Sequence, residues 1–160
     1  RGLSARFGLD VRLKWPNDLV IGRKKLGGIL VEARADGNGG GCAVAGIGLN
    51  VRATRAMLDA EGLPEATSLL AAGVEAAALD PETVLVAVLE LLDQGLSAPP
   101  FELPAAFETV SAHRPGERLT VAEAGRETRG SYRGVTEDGF LRLGTREGEE
   151  TVVSGEIAAF

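Results

Sequence analysis

Lys14, Trp15, Asn17, Asp18 and Lys25 put two ammonium groups, an indole, an amide and a carboxylate into one short stretch of chain. That set suits a ligand with an anionic centre and a flat or apolar part. The ammoniums are compact positive charges, and the indole offers a broad apolar surface with one N–H donor. Gly27 and Gly28 follow, inside what the pattern reads as a paired strand. Glycine weakens a strand, so a pair of them marks a close approach by a ligand or another backbone, or a β-bulge; both readings stand on the sequence alone. The charge distribution points to the same stretch. Residues 1–34 hold eight cations against three anions in a chain whose net charge is −6. Of 17 Lys and Arg residues only Lys14, Lys24 and Lys25 are lysines.

These groups need elements to hold them. Val11 to Trp15 alternates apolar and cationic residues, with Val11, Leu13 and Trp15 on one face, as in a half-buried strand. Pro16-Asn17-Asp18 is turn chemistry; Leu19 to Ile21 resumes the strand, and Gly22-Arg23-Lys24 reads as a hairpin turn. A strand over Leu26 to Ala33, a loose glycine-rich tip over 36–41 and a strand over Cys42 to Val51 complete an antiparallel meander. Residues 3–8 end a helix at Gly8. The stretch from Ala53 to Val110 reads as mostly helical. Asp80-Pro81 opens the clearest helix, with Val84, Leu85, Val88, Leu89 and Leu92 expected on its inner face and Gly95 as its stop; Pro99-Pro100 leads into a short helix over 104–110. From His113 onward, strands over 118–123, 127–135, 140–143 and 151–153 alternate with turns at Ala124-Gly125-Arg126, Glu137-Asp138-Gly139 and Arg146-Glu147-Gly148, the pattern of a small barrel.

Composition excludes several classes. A chain of 160 residues, 44% of them apolar, buries roughly two-thirds of its surface on folding and needs no covalent staples. No apolar run approaches the roughly 20 residues of a membrane-spanning helix. The single cysteine, Cys42, forms no internal disulfide, and no cluster has metal-ligand spacing. Cys42 is expected as a packed interior thiol, His113 as a linker residue, and the 36–41 loop as a plain hairpin tip. The barrel arginines are interleaved with glutamates and aspartates, so no basic stripe for nucleic acid forms.

Three blocks in order, Lys14-Trp15-Pro16-Asn17-Asp18, Lys25-Leu26-Gly27-Gly28-Ile29-Leu30-Val31-Glu32 and Gly46-Ile47-Gly48-Leu49-Asn50-Val51, resemble the central signature of biotin protein ligases. Ala66-Thr67-Ser68-Leu69 and a C-terminal Gly155-Glu156-Ile157 fit the same family. The resemblance implies an α+β fold: part of a class II aminoacyl-tRNA-synthetase-like antiparallel sheet with helices over residues 1–112, then an SH3-like β-barrel over 113–160. It implies ATP-dependent ligation of biotin to one lysine of a biotin carboxyl carrier protein through biotinyl-5′-adenylate, with Mg²⁺ accompanying ATP, in the cytoplasm. Edge strands of the meander are where a homodimer would pair.

Carried over residue by residue, Lys25 corresponds to the lysine that contacts the biotin carboxylate and the α-phosphate. Trp15 and Asn17 correspond to residues around the adenylate, and Asn50 to one that closes over the nucleotide. Gly27 and Gly28 would admit the bound biotin, and Lys14 is placed as a phosphate contact or a paired surface charge. For Asp18 three roles stand open: Mg²⁺ through water, orientation of the acceptor lysine, or capping its turn. Two features depart from the family. Its Gly-Arg-rich loop is expected ahead of Arg1, so a truncated chain with weak or no activity of its own is expected. Ala158-Ala159-Phe160 also stands where the family often carries a basic residue. A lipoate or octanoate ligase or transferase of the same superfamily, and a non-catalytic adenylate- or carrier-binding fragment, are the alternatives.

Overall fold

The computed structural model describes residues 2–37, 40–99, 103–123 and 125–158; Arg1, Asn38, Gly39, Pro100, Phe101, Glu102, Ala124, Ala159 and Phe160 lie outside the described residues. Helix α1 (Gly2–Phe7) stops at Gly8, whose φ of 66° is the left-handed conformation that glycine adopts without steric cost. Strands β1 (Val11–Lys14), β2 (Asp18–Ile21), β3 (Lys24–Ala35) and β4 (Gly41–Leu49) form an antiparallel sheet in chain order. The Trp15–Pro16 peptide bond is cis. Asp18, expected in the turn, is instead the first residue of β2 and sits opposite Lys14.

Side chains alternate between faces along a strand, so the register sorts the sheet into rows. Leu13, Leu19, Gly27 and Leu49 form one row. It faces a core in which Val11, Leu19, Leu26, Leu69, Leu79 and Val84 are buried together. The adjacent row, Lys14, Asp18, Gly28 and Gly48, faces the other way. Cys42, expected inside, is exposed, because the far ends of β3 and β4 extend beyond this core.

The stretch expected to be mostly helical holds α2 (Arg55–Ala60), one 3₁₀ turn (Ala76–Ala78), α3 (Pro81–Leu96) and α4 (Leu103–Val110). Most of residues 61–75 is irregular. Gly62 and Gly73 adopt φ of 69° and 101°, and backbone groups of this segment bond to β3 and to the chain just after β4. Helix α3 starts where the sequence places it: the Asp80 side chain accepts a hydrogen bond from the Thr83 amide at 2.9 Å, which lowers the Asp80 carboxyl pKa. Its inner side differs by one position. Val84 and Ala87 are buried and Val88, Leu91 and Leu92 line a cavity of about 570 Å³ against the sheet, whereas Leu85 and Leu89 are 58% and 53% exposed. No helix among the described residues is long and apolar enough to cross a membrane.

Strands β5 (Arg118–Glu123), β6 (Arg126–Val135), β7 (Leu141–Gly144), β8 (Glu149–Val152) and β9 (Glu156–Ile157) form a second antiparallel sheet in the order β8-β7-β6-β5-β9. All five contribute to one core of Leu119, Val121, Tyr132, Leu141, Leu143, Val152 and Ile157, so the sheet wraps around its own apolar face as an SH3-like barrel. Trp15, the residue after β1, completes this core.

The junction with α4 is polar and satisfied. Tyr132 is fully buried; its hydroxyl accepts from Ser111 Oγ at 3.3 Å and donates to the Glu108 carboxylate at 3.0 Å, and the Val135 amide donates to the same carboxylate. Burial, and secondarily the Glu108 charge, push the Tyr132 pKa up to about 12 from an ordinary 10.0. The folded state therefore holds the phenol protonated more firmly than the unfolded chain does. This contribution to stability is fully present below pH 10 and is lost as pH rises toward 12. Tyr132→Phe is expected to cost about 1–2 kcal/mol in urea denaturation at neutral pH and to flatten the stability profile above pH 10.

Candidate functional site

Lys25 and Gly28 are three positions apart, so in a regular strand their side chains would point to opposite faces. The pairing of β2 with β3 prevents this. Leu19 lies opposite Gly27 but Val20 lies opposite Lys25, so Leu26 is an extra residue and the strand bulges there. The bulge turns the fully buried Leu26 into the helix-side core and puts Lys25 on the same face as Asp18. The Lys25 ammonium contacts Asp18 Oδ1 at 2.5 Å; the lysine side chain is 55% exposed and the aspartate 15%.

Beside this ion pair the sheet is bare. Gly28 and Gly48 continue the row that begins with Lys14 and Asp18, and neither carries a side chain. A Cβ on Gly28 would lie 3.4 Å from Asp18 Oδ1 and 3.8 Å from Lys25 Cε; one on Gly48 would meet only the Gly28 carbonyl oxygen at 3.9 Å. The result is a shallow backbone-floored trough with an ammonium and a carboxylate at one end, and Lys14 across from Asp18 at its border. Asn17 is exposed next to it, its carbonyl taking the Ile29 amide at 2.9 Å.

The backbone at Lys25 is held from the other side by the irregular segment after α2. The Lys25 amide donates to Glu65 O at 2.7 Å, and the Thr67 amide donates to Lys25 O at 2.8 Å. Asn50 joins the same segment: its backbone amide donates to Leu26 O and its side-chain amide to Thr67 O, both at 2.9 Å. Ser68, fully buried, donates from Oγ to Ala53 O at 2.5 Å and accepts from the Ala71 amide. Lys14, Asn17, Asp18, Lys25 and Gly28 are thus gathered across β1, β2 and β3, and Asn50, just after β4, is tied to the segment that holds Lys25.

Two expected ligand contacts are placed elsewhere. Trp15 is only 3% exposed, packs in the barrel core and donates its indole N–H to Gly139 O at 3.0 Å, so its ring is engaged with the barrel rather than with the trough. Its period-two partners Val11 and Leu13 face inward, and the barrel arrives on the side where Trp15 points. Gly27 faces the helix side, and a Cβ there would collide with the Gly48 carbonyl oxygen. Its small size serves the approach of β4 rather than of a ligand. Gly27→Ala is expected to cost about 1–3 kcal/mol by urea denaturation through overpacking. Gly28→Ala makes only ordinary contacts and is expected to fold normally while crowding the trough. Thr67 and Ser68, which support the site, lie in the Ala66-Thr67-Ser68-Leu69 block that the sequence singles out, whereas no sequence signal marks Arg55.

Among the described residues no three His, Cys, Asp or Glu side chains are gathered as a metal site. His113, expected as a plain linker residue, is 3% exposed and its Nδ1 lies 3.2 Å from Glu117 Oε1, at the barrel entrance and away from the trough.

Comparison with known proteins agrees with this architecture. Residues 5–50 match the biotin/lipoate A/B protein ligase family, and residues 116–158 match the biotin protein ligase C-terminal domain. A biotin–[acetyl-CoA-carboxylase] ligase of Paracoccus denitrificans is 29% identical over 98% of this chain and 66% of its own length. A bifunctional ligase/repressor BirA of Bacillus spizizenii is 41% identical over 51 residues, 32% of this chain and 16% of its own. The structure of a biotin protein ligase from Aquifex aeolicus in complex with biotin and ATP superposes with a TM-score of 0.74 at 26% identity, covering 98% of this chain and 65% of that one. The chain therefore spans just under two-thirds of the length of these two full-chain matches. Two family segments in the expected order and the same two-sheet architecture make this chain similar to biotin protein ligases over both its sheet and its barrel.

Proposed function

We propose that this chain carries the lysine-bearing part of a site that activates biotin with ATP and transfers the biotinyl group to a lysine of a biotin carboxyl carrier protein. The observation that carries this reading is the Lys25 ammonium, turned by a bulge onto a side-chain-free trough and steadied by Asp18. In the first step a biotin carboxylate oxygen attacks the α-phosphorus of ATP, pyrophosphate leaves, and biotinyl-5′-adenylate remains. Two anions must meet, and charge on the phosphoryl oxygens is redistributed as they do. A fixed ammonium aimed at that point stabilises the transition state more than the separated ground state. In the second step the carrier's ε-amine attacks the acyl carbon, AMP leaves and the amine loses a proton.

In this reading Lys25 bridges the biotin carboxylate and the α-phosphate, and Lys14 supplies a second positive charge at the rim. Asp18 holds Lys25 at rest; once the anions draw the ammonium away, its carboxylate faces the incoming amine. Asn17 and Asn50 supply polar contacts to the nucleotide, and Gly28 leaves room for the ligand. Asp18 would be the carboxylate available to a Mg²⁺ accompanying ATP, which would neutralise part of the phosphate charge. A cytoplasmic setting suits a reaction that consumes ATP. The match of residues 116–158 to the biotin protein ligase C-terminal domain supports biotin rather than lipoate.

The test is calorimetric titration of the chain with a non-hydrolysable biotinyl-adenylate and with biotin alone. The adenylate is expected to bind at least about 100-fold more tightly, because it presents both anionic centres in one preorganised molecule. Equal affinities, or no binding of the adenylate, would overturn the reading. Competition with a lipoyl-adenylate separates the two acyl groups.

A further inference from the structure

We propose that Arg55 is a positioning residue of this site, setting the main chain at Lys25 through segment 63–67; the inference rests on the role given above to Lys25. Arg55 is the first residue of α2, and its side chain is 36% exposed. Its guanidinium is spent locally in an unusual way. Nη1 donates to Ala66 O at 2.7 Å and Nη2 to Leu63 O at 3.1 Å, while Nε donates to Asp59 Oδ1 at 3.0 Å. A planar fork with fixed donor directions holds two carbonyls of one turn at a set separation, which a flexible ammonium does not.

Ala66 is the residue bridged to Lys25, through the Lys25 amide to Glu65 O and the Thr67 amide to Lys25 O. These bonds fall where the β2–β3 ladder is irregular because of the bulge. The segment thus holds the lysine's main chain where regular pairing on the other side is interrupted. Thr67 O also takes the Asn50 side-chain amide, so the same turn places two of the proposed ligand-contacting residues. Ser68 anchors the segment on its far side, against Ala53. On its near side the turn is closed by Leu63 N to Leu58 O and Ala66 N to Leu63 O, and Arg55 clamps it. Releasing Arg55 lets the turn shift, and with it the root of the lysine that must meet two anions. Misplacement of a reacting or stabilising group by about 1 Å can cost up to roughly 100-fold in rate.

The experiment combines a double-mutant cycle with amide exchange on the 160-residue chain. Arg55→Ala is expected to weaken binding of the non-hydrolysable biotinyl-adenylate about tenfold, and to change it less than about twofold in a Lys25→Met background, because the effect runs through that side chain. Asp59→Ala, which removes only the exposed partner, is expected to leave affinity within about twofold. Without ligand, Arg55→Ala is expected to speed exchange at the Lys25 and Thr67 amides while the β5–β6 amides keep their protection. Arg55→Lys keeps the charge but not the fork; it serves if the alanine variant does not fold and is expected to lose affinity too. Unchanged affinity in both Arg55 variants, or an equal loss in the Lys25→Met background, overturns the assignment and leaves the role of Lys25 standing. Failure of the unsubstituted chain to bind the adenylate overturns the reading of the site, and this inference with it.

Discussion

Replacing Lys25 by methionine is expected to slow biotinyl-adenylate formation about 100-fold in a biotin-dependent ATP–pyrophosphate exchange assay of a ligase containing this sequence, and to leave the fold intact. The size follows from comparable electrostatic donors, whose removal costs about 3 kcal/mol of transition-state stabilisation. The fold should tolerate the change because the lysine side chain is 55% exposed and a half-exposed ion pair with Asp18 contributes at most about 1 kcal/mol. Methionine keeps the length of the stem and deletes only the charge. Lys25→Arg should recover little, since a planar guanidinium cannot occupy the place of a compact ammonium beside Asp18 and Gly28. An exchange rate within threefold of the unsubstituted enzyme would show that Lys25 is only a surface charge.

Trp15→Ala is expected to give the largest loss of stability of any single change at the sheet–barrel contact, about 3–5 kcal/mol. The ring is buried among Leu119, Val121, Tyr132 and Leu141, and its N–H is satisfied by Gly139 O, so the variant leaves both a cavity and an unpaired carbonyl. The melting temperature should fall by on the order of 10 °C. Trp15→Phe keeps most of the packing and should lose only about 1–2 kcal/mol, chiefly the hydrogen bond. Trp15 is the only tryptophan, so its own fluorescence reports whether barrel and sheet remain docked in other variants. A Trp15→Ala chain with unchanged melting temperature but lost adenylate binding would return the indole to the ligand site.

Much of this architecture is legible in short-range pattern. The alternation in Val11-Arg12-Leu13-Lys14, the Asp80-Pro81 helix start and the regular turns of the barrel are local choices whose physics depends on a few neighbouring residues. The reading fails where the outcome depends on what arrives from far along the chain. Leu85 and Leu89 looked inward because the helix period allows a face one residue wider than the sheet covers. Residues 61–75 looked helical from composition, but their backbone groups found partners on β3 and just beyond β4 instead. Trp15 looked like a ligand surface because nothing nearby revealed that Gly139, 124 positions later, would accept its N–H.

The sequence by itself determined which chemistry the chain can offer: the lysines cluster at one place, carboxylate and amide groups stand beside them, and glycines follow at a spacing shared with a known family. Side-chain type and chain order suffice for that, because they restrict what can be charged, what can donate and which strands can be neighbours. Only the tertiary structure decided which of these groups share a face. Lys25 joins Asp18 because one extra residue in β3 reverses the alternation. Gly27 turns to β4 while Gly28 turns to the trough, and Trp15 is taken by the barrel. Each is a matter of register or of long-range packing, and a shift of one residue in a strand moves a side chain to the opposite side of the sheet.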